Sequence, residues 1–376
     1  MRFITAAVVF VALPLNQQAL ASCADAAAPG VDWFQCDLSN RSLQGADLSH
    51  ANLAAADLRG ADLRNVNLTS ATLTGAKLSG AQLQQGQFDQ ADLRFADLSE
   101  SDLRATSLTG ANLAEADLQR ARLDGSILDE AVLTGAKLNH ASLRNSSMMR
   151  ANLATADLSN ATLVEANLEQ SNLGNAILVS ANFAQANLSQ ANLAWANANW
   201  SNFSSANLSG ANLGNAKLQQ TIIRWANLTY TNLAAGRFDQ TSITGSNLSN
   251  SNMAGAVFHN ATLRWVDMSN SNLERADLRT VDAAATHVVK HTSFANSNLA
   301  QARLGGAQLE GADFRGARLK GADLEGSDLS GALFEGAQWL NGKRCFGPSI
   351  GTCSVNPPKP QRPKPLVIPV APDQLQ

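Results

Sequence analysis

One apolar residue recurs at every fifth position along most of this chain, and this period constrains the fold more than any other feature. The apolar centres run from Leu38 to Val288, and a second run follows from Phe294 to Trp339. A pentad consists of a small residue, Asp or Asn, the centre and two polar or small residues, as in Ala51–Ala55. The two runs are six residues apart, which predicts one extra residue in a register slip near 283–292. Positions are numbered here from the centre, from −2 to +2.

Neither a regular helix nor a flat strand accommodates a period of five. On an α-helix five residues advance about 500°, so successive centres would be spread around the helix. On a flat strand an odd period sends alternate centres to opposite faces. The chain must therefore turn once in each pentad, so that every centre returns to one interior. This predicts a single all-β solenoid with an apolar core, in which each coil contacts only its neighbours.

Bulky centres recur at every twentieth position in several places, which indicates four pentads in each coil. Residues at the same place in successive coils would lie on top of each other, so matched side chains should recur at that spacing. The residues that follow this rule are Phe183 and Phe203, Ile223 and Ile243, Phe238 and Phe258, and the series Phe294, Phe314 and Phe334. We predict that they form interior stacks.

The pentad resembles the A-[DN]-L-x-x motif of the pentapeptide-repeat family over about residues 36–340. The resemblance implies a right-handed quadrilateral β-helix, in which the centre and position −2 face inward and the other three positions face outward. At four pentads per coil this implies about 15 coils and a length on the order of 70 Å. The ends are also similar to those of exported members, with Pro29–Trp33 leading into Cys36 and Gly347–Cys353 after the last coil.

The start of the chain, Met1–Ala21, has the pattern of a signal peptide. Arg2 precedes an apolar run, and Ala19–Ala21 provides a cleavage motif before Ser22. The apolar run is too short to span a membrane. We therefore predict export, to the periplasm or out of the cell.

The four cysteines form two local pairs, Cys23 with Cys36 and Cys345 with Cys353. An even, locally paired count in an exported chain favours two disulfides. Leu20–Cys23 also resembles a lipobox, which would make Cys23 a lipid anchor. We disfavour the anchor because a polar spacer separates this segment from the apolar run, and because lipidation would leave Cys36 as a free thiol.

These signals divide the chain into five parts. In order, they are a signal peptide at 1–21, an N-terminal cap at 22–35, the pentapeptide-repeat β-helix at 36–340, a C-terminal disulfide cap at 341–353 and a Pro-rich disordered tail at 354–376. The tail holds seven of the ten prolines, a composition typical of an extended chain. The caps are expected to cover coil ends, whose strand edges would otherwise pair end to end.

No catalytic or cofactor-binding motif stands out. The sequence has no Walker A loop, nucleotide-binding glycine fingerprint, zinc-type CxxC pair or nucleophile elbow. His287 and His291 lie four residues apart at the predicted slip, but no third ligand accompanies them, so a solvated turn is the better interpretation than a metal site. We predict a protein that is not an enzyme and uses no cofactor or metal.

Aromatic residues at position +2, two of them preceded by Arg, form the candidate partner surface. The candidates are Arg224, Trp225, Arg264, Trp265, Trp195, Trp200 and Tyr230. Exposed aromatic and Arg side chains are typical of interface hot spots. Packing of the rings over neighbouring residues is the alternative.

Arginine at position +1 recurs at one place of the coil and is expected to line one face. The residues are Arg64, Arg104, Arg144, Arg224 and Arg264. A salt-bridged solvent face is the simplest interpretation of this column.

The predicted function is an exported, non-catalytic β-solenoid that serves as a structural or protein-interaction scaffold in the cell envelope or outside the cell. Its partner is an unidentified protein or envelope component. The alternative, which the family resemblance supplies, is a nucleic-acid mimic that inhibits or protects a DNA-binding enzyme such as gyrase. The signal peptide disfavours that alternative because gyrase is cytosolic, and the net charge of −3 is weak for a DNA mimic. The same charge argues against nucleic-acid binding.

Overall fold

A computed structural model describes residues 22–283 and 292–355 of the chain. The chain divides into two compact units, Met1–Asn227 and Leu228–Gln376. Within the described ranges neither unit contains an α-helix, and both are built from the same pentad. The β-structure consists of isolated parallel bridges made by the residue at position −1, without longer strands, except for antiparallel bridges near the C-terminal end. The predicted signal peptide, the His287 and His291 pair and most of the predicted tail lie outside the described residues.

Parallel bridges join each position −1 to the same position four pentads later in both units, as between Asn52 and Thr72 in the first and Asn252 and Asn272 in the second. Four pentads therefore make one coil in each unit, as the recurrence of bulky centres predicts. Positions −2 and 0 face the interior in nearly every pentad, and the other three positions face outward. This arrangement makes the protein an all-β solenoid.

The hydrogen-bonding requirement of the backbone explains why Asp or Asn recurs at position −1. The amides at −1, 0 and +2 donate to neighbouring coils, as Leu53 does to the carbonyl of Thr72 at 2.7 Å. The amide at −2 closes a β-turn, as Ala56 does by donating to the Leu53 carbonyl at 3.1 Å. The remaining amide, at +1, donates to the side chain at −1, as Ala54 does to Asn52 Oδ1 at 3.3 Å. All five backbone donors of a pentad are thereby satisfied.

Position +2 closes each turn in the left-handed backbone conformation. Non-glycine residues at this position have φ between 54° and 62°, and glycines such as Gly75 have similar values. A positive φ at the second central residue is the signature of a type II turn, and it is unfavourable for residues with a Cβ. Glycine recurs at +2 for this reason, although other residues occupy most of these turns.

The core contains the phenylalanines that recur at the same place of successive coils, and these stack face to face. The ring centroids are separated by 4.9 Å in Phe183–Phe203, 4.7 Å in Phe238–Phe258, 4.9 Å in Phe294–Phe314 and 5.1 Å in Phe314–Phe334. Ile223 and Ile243 are buried, one in each unit, and their stacking stays a prediction.

The interruption between the two runs is larger than predicted. A regular coil would bridge Asp267 to position 287, but Asp267 bridges Ser293, so the insertion is six residues and not one. Phe294 consequently takes the interior place predicted for Val288. The prediction was wrong because Val288 is apolar and lies five residues after Ala283, so its spacing alone imitates a further centre.

Disulfides join Cys23 to Cys36 and Cys345 to Cys353, which confirms the predicted pairing. At the N-terminal end Trp33 is fully buried as the first apolar centre. The guanidinium carbon of Arg41 lies 5.3 Å from its ring centroid, within range of a cation–π contact. Arg41 stands at position −2, where other pentads have a small residue.

At the other end the chain folds back on the last coil. Leu333 pairs with Ile350, and Gln338 with Arg344, in antiparallel bridges. Trp339 meets the interior ring of Phe334 edge to face, at 5.1 Å between centroids. Part of the final strand edge is therefore paired by the segment that carries the second disulfide.

Candidate functional site

Three tryptophans of the first unit project into solvent from the corners of its coils. Trp195, Trp200 and Trp225 all occupy position +2, with φ of 62°, 59° and 59°. Their exposed fractions are 62%, 55% and 63%, which are high for the side chain with the largest apolar area. Arg224, which precedes Trp225, is exposed as well. Trp195, Trp200 and Trp225 stand at three different corners of the coil, so they form a belt around it and only partly a patch; together they are termed the aromatic surface below.

Trp195 and Trp200 occupy the two turns on either side of one bridged segment. Asn197 faces outward from that segment and is bridged to Ile177 in one neighbouring coil and to Lys217 in the other. A column of one apolar, one amide and one cationic side chain therefore lies between the two indoles. Such a mixture of aromatic, aliphatic and polar groups is typical of protein interfaces.

The indoles of Trp195 and Trp200 are carried by a backbone that is fixed by hydrogen bonds. The amides of both residues donate to a carbonyl of the next coil at 3.0 Å. Trp200 Nε1 also donates to Gln220 Oε1 at 2.7 Å, which restricts the orientation of that ring. This part of the aromatic surface is consequently preorganised, and a partner would meet little loss of conformational entropy on binding it.

Sequence reasoning missed three aliphatic residues of the same unit. Ile127, Ile177 and Ile222 are 44%, 43% and 38% exposed. All three stand at position −1, where most pentads have Asp or Asn. That departure from the repeat was the signal that could have found them.

The predicted surface residues of the second unit have two different environments. Tyr230 is 70% exposed. Trp265 is only half-buried and lines an open groove of about 420 Å³, together with Asn247, Asp267 and Ser293. Trp265 therefore fits the alternative of ring packing better than that of an interface anchor.

Close ion pairs neutralise three of the five arginines predicted to share a face. The pairs are Arg64 with Asp62 at 2.7 Å, Arg104 with Asp102 at 2.7 Å and Arg264 with Asp282 at 2.6 Å. The hydrogen bond from Arg64 lowers the pKa of the Asp62 carboxyl. Pairs at such exposed positions contribute little to stability, and they fit salt-bridged solvent positions better than a concentrated positive charge.

No group of three or more His, Cys, Asp or Glu side chains within residues 22–283 and 292–355 is placed to hold a metal ion. In the same ranges no helix is long and apolar enough to cross a membrane.

Comparison with known proteins identifies the repeat. The family model for pentapeptide repeats matches eight times, at residues 34–69, 51–86, 87–125, 126–163, 166–204, 206–245, 241–279 and 292–337. These matches cover most of the chain, which belongs to the pentapeptide repeat family. No curated protein matches the sequence.

Three solved structures are similar to this chain. HetL, a pentapeptide repeat protein involved in heterocyst differentiation regulation from the cyanobacterium Nostoc sp. strain PCC 7120, is 27% identical over 74% of this chain and 92% of HetL, with a TM-score of 0.21. QnrB1, a plasmid-mediated fluoroquinolone resistance protein, is 20% identical over 52% of this chain and 89% of its own, with a TM-score of 0.33. Rfr23, a pentapeptide repeat protein from the cyanobacterium Cyanothece 51142, is 32% identical over 32% of this chain and 62% of its own, with a TM-score of 0.14.

Proposed function

We propose that this protein is an exported, non-catalytic scaffold that holds a protein or another envelope component through the aromatic surface. One observation carries the proposal: Trp195, Trp200 and Trp225 are all more than half exposed, and hydrogen bonds between coils fix the backbone of the first two. Indole side chains at rigid, solvated positions are typical binding hot spots, because they offer a large contact area at a small cost in conformational entropy.

The two disulfides support the proposed compartment. Disulfides are typical of proteins outside the reducing cytoplasm. In the structure the Cys23 sulfur is bonded to Cys36, and a sulfur engaged in that bond cannot also carry a lipid. We therefore favour a soluble mature protein that begins at Ser22.

Export is tested by cell fractionation combined with N-terminal sequencing of the purified protein. We expect the protein in the periplasm or the medium, with Ser22 as its first residue. Cytoplasmic residence with an intact Met1 would contradict the proposal. A membrane-bound wild type that becomes soluble on Cys23→Ala substitution would show a lipoprotein instead.

The nucleic-acid mimic remains the alternative, and the ion pairs weigh against it. A DNA mimic needs a surface of unbalanced negative charge. Here Asp62 and Asp102 each lie 2.7 Å from an arginine, so their charges are locally balanced.

Partner binding is tested by capture from an envelope extract with the purified protein. We expect the combined substitution of Trp195, Trp200 and Trp225 by Ala to weaken capture of the partner by more than about tenfold, since a hot-spot residue contributes about 2 kcal/mol or more. Thermal unfolding should stay unchanged, because the three indoles are exposed. Capture that is retained by the triple variant would refute the role of this surface.

A matched control uses other turn residues of the same unit. Gln185, Gln190 and Asn215 also occupy position +2, with φ between 59° and 62°. Their combined substitution by Ala changes the same backbone environment without removing an aromatic ring, so capture should persist. By contrast, Trp265→Ala should lower the thermal unfolding temperature, because that ring is half-buried.

A further inference from the structure

Two faces of the final coil have an outer strand edge that no described residue pairs. In the preceding coil the amides of Leu304, Gly306 and Leu309 donate to carbonyls of the final coil at 2.7–2.9 Å. The corresponding amides of the final coil belong to Leu324, Gly326 and Leu329, and among the residues that the structure describes they have no acceptor. The segment carrying the second disulfide pairs only with the faces around Leu333 and Gln338.

The apolar centres at this edge are also incompletely covered. Leu304 and Leu309 are fully buried, whereas Leu324 and Leu329 are only half-buried. Amides at an open strand edge, beside partly exposed leucines, offer a template for one more strand.

The same edge is lined by carboxylates. Asp323, Glu325 and Asp328 face outward from it, and none of them lies within 4.0 Å of a cationic group in the described parts of the chain. With Leu324 and Leu329 they form a surface termed the acidic edge. It combines unpaired backbone donors, apolar contacts and negative charge, so it fits an extended, basic and partly apolar peptide.

We propose that the carboxyl-terminal segment of this chain, residues 359–370, docks on the acidic edge, with Leu366–Ile368 as an additional strand. Its sequence supplies the required chemistry, with cationic Lys359, Arg362 and Lys364 followed by Leu366–Ile368. Leu366–Ile368 contains no proline and has the length of one coil face, such as 322–324. Two of its three residues, Val367 and Ile368, are β-branched, which favours a strand.

The end of the described chain lies within reach of the acidic edge. Gly351 is adjacent to the edge, since a Cβ at that residue would be 3.6 Å from the carbonyl oxygen of Leu329. The connection from Val355 to Leu366 can span up to about 36 Å when extended, at about 3.3 Å per residue. The segment therefore reaches either of the two unpaired faces.

Hydrogen exchange with peptide-level mass spectrometry tests this docking on the mature, disulfide-bonded protein. A chain that ends at Val355 should exchange the edge amide of the occupied face, that of Leu324 or that of Leu329, roughly tenfold faster or more than the full-length chain. A control chain that ends at Val370 retains the docking segment and should match the full-length protein.

Full-length variants keep the test independent of truncation. Val367→Pro removes one backbone donor and prevents regular pairing, so it should reproduce the fast exchange. Replacing Lys359, Arg362 and Lys364 together by Gln should also accelerate exchange and should abolish its sensitivity to salt. Lys77→Gln in the first unit is the charge control and should leave hydrogen exchange at the acidic edge unchanged.

Two results would overturn the proposal. Equally fast exchange in the full-length and shortened chains would mean that the acidic edge is open. Protection that persists without residues 356–376 would mean that another occupant covers it, and sedimentation would then distinguish a second copy of this chain from a different protein.

Discussion

The stacked phenylalanines allow a direct measurement of how strongly neighbouring coils are coupled. Phe183 and Phe203 lie in successive coils of the first unit, with centroids 4.9 Å apart and planes inclined by 3°. Nearly parallel rings at this centroid distance fall within the range of about 4.5–7 Å that is favourable for aromatic pairs, which contribute about 0.5–1.5 kcal/mol beyond area burial.

The assay is a double-mutant cycle with Phe183→Leu, Phe203→Leu and both together. Urea unfolding should give a coupling free energy of about 0.5–1.5 kcal/mol between the two residues. Leu preserves an apolar centre and therefore removes the ring contact without introducing a polar group.

A second cycle with Phe88→Leu and Phe183→Leu is the control. Phe88 and Phe183 are both fully buried but are not in contact, so their effects should add within about 0.3–0.5 kcal/mol. A coupling between Phe183 and Phe203 no larger than that of the control pair would refute stacking as a source of stability.

Three further predictions concern the turn, the cap and the acidic side chains. Gly75→Ala should destabilise the protein by about 1 kcal/mol in urea unfolding. A Cβ at this position meets no atom within 4 Å, so the cost comes from the φ of 66°, which is unfavourable for alanine. Increased stability would contradict the view that this turn is strained for residues with a Cβ. Replacing Cys345 and Cys353 by Ser should loosen the antiparallel segment over the last coil, measured by hydrogen exchange, and should promote self-association, measured by light scattering. A variant that stays an unchanged monomer would contradict the role of this segment as a cap. The hydrogen bond from Arg279 lowers the pKa of Asp277, so the stabilisation from this pair is present above the unfolded-state pKa of about 4 and is lost as the pH falls through the lower native value. The urea midpoint of the Asp277→Asn variant should therefore change less than that of the wild type between pH 5 and about 3. The same pH dependence in both proteins would contradict this.

Much of the fold follows from the sequence because one period controls it. The spacing of Leu48, Leu53 and Leu58 requires a turn in every pentad, and the recurrence of Phe183 at position 203 indicates four pentads per coil. Both inferences depend on local, repeated features, and repetition averages out single exceptions.

Features that occur once were harder to predict. The sequence pattern indicates one extra residue where the structure has six, because Val288 keeps the spacing of a centre. The antiparallel pairing of Leu333 with Ile350 has no periodic signal, since the chain after Trp339 leaves the pentad pattern.

The candidate site was predictable in its residues and not in their exposure. Trp225 and Trp265 occupy the same position of the pentad and follow Arg in both cases. One is 63% exposed, while the other is half-buried in a groove formed by Asn247 and Asp267. That difference depends on the residues of adjacent coils, which a pattern within one pentad does not contain.

The proposed role of the aromatic surface is tested most directly by photocrosslinking in living cells. p-Benzoylphenylalanine placed at Trp200 substitutes one aromatic ring for another, and at Asn65 it occupies an equivalent turn of the same unit, with φ of 59° and 58° respectively. We expect a discrete crosslinked product with an envelope component at position 200 and none at position 65. No product at position 200, or the same product at both positions, would contradict it.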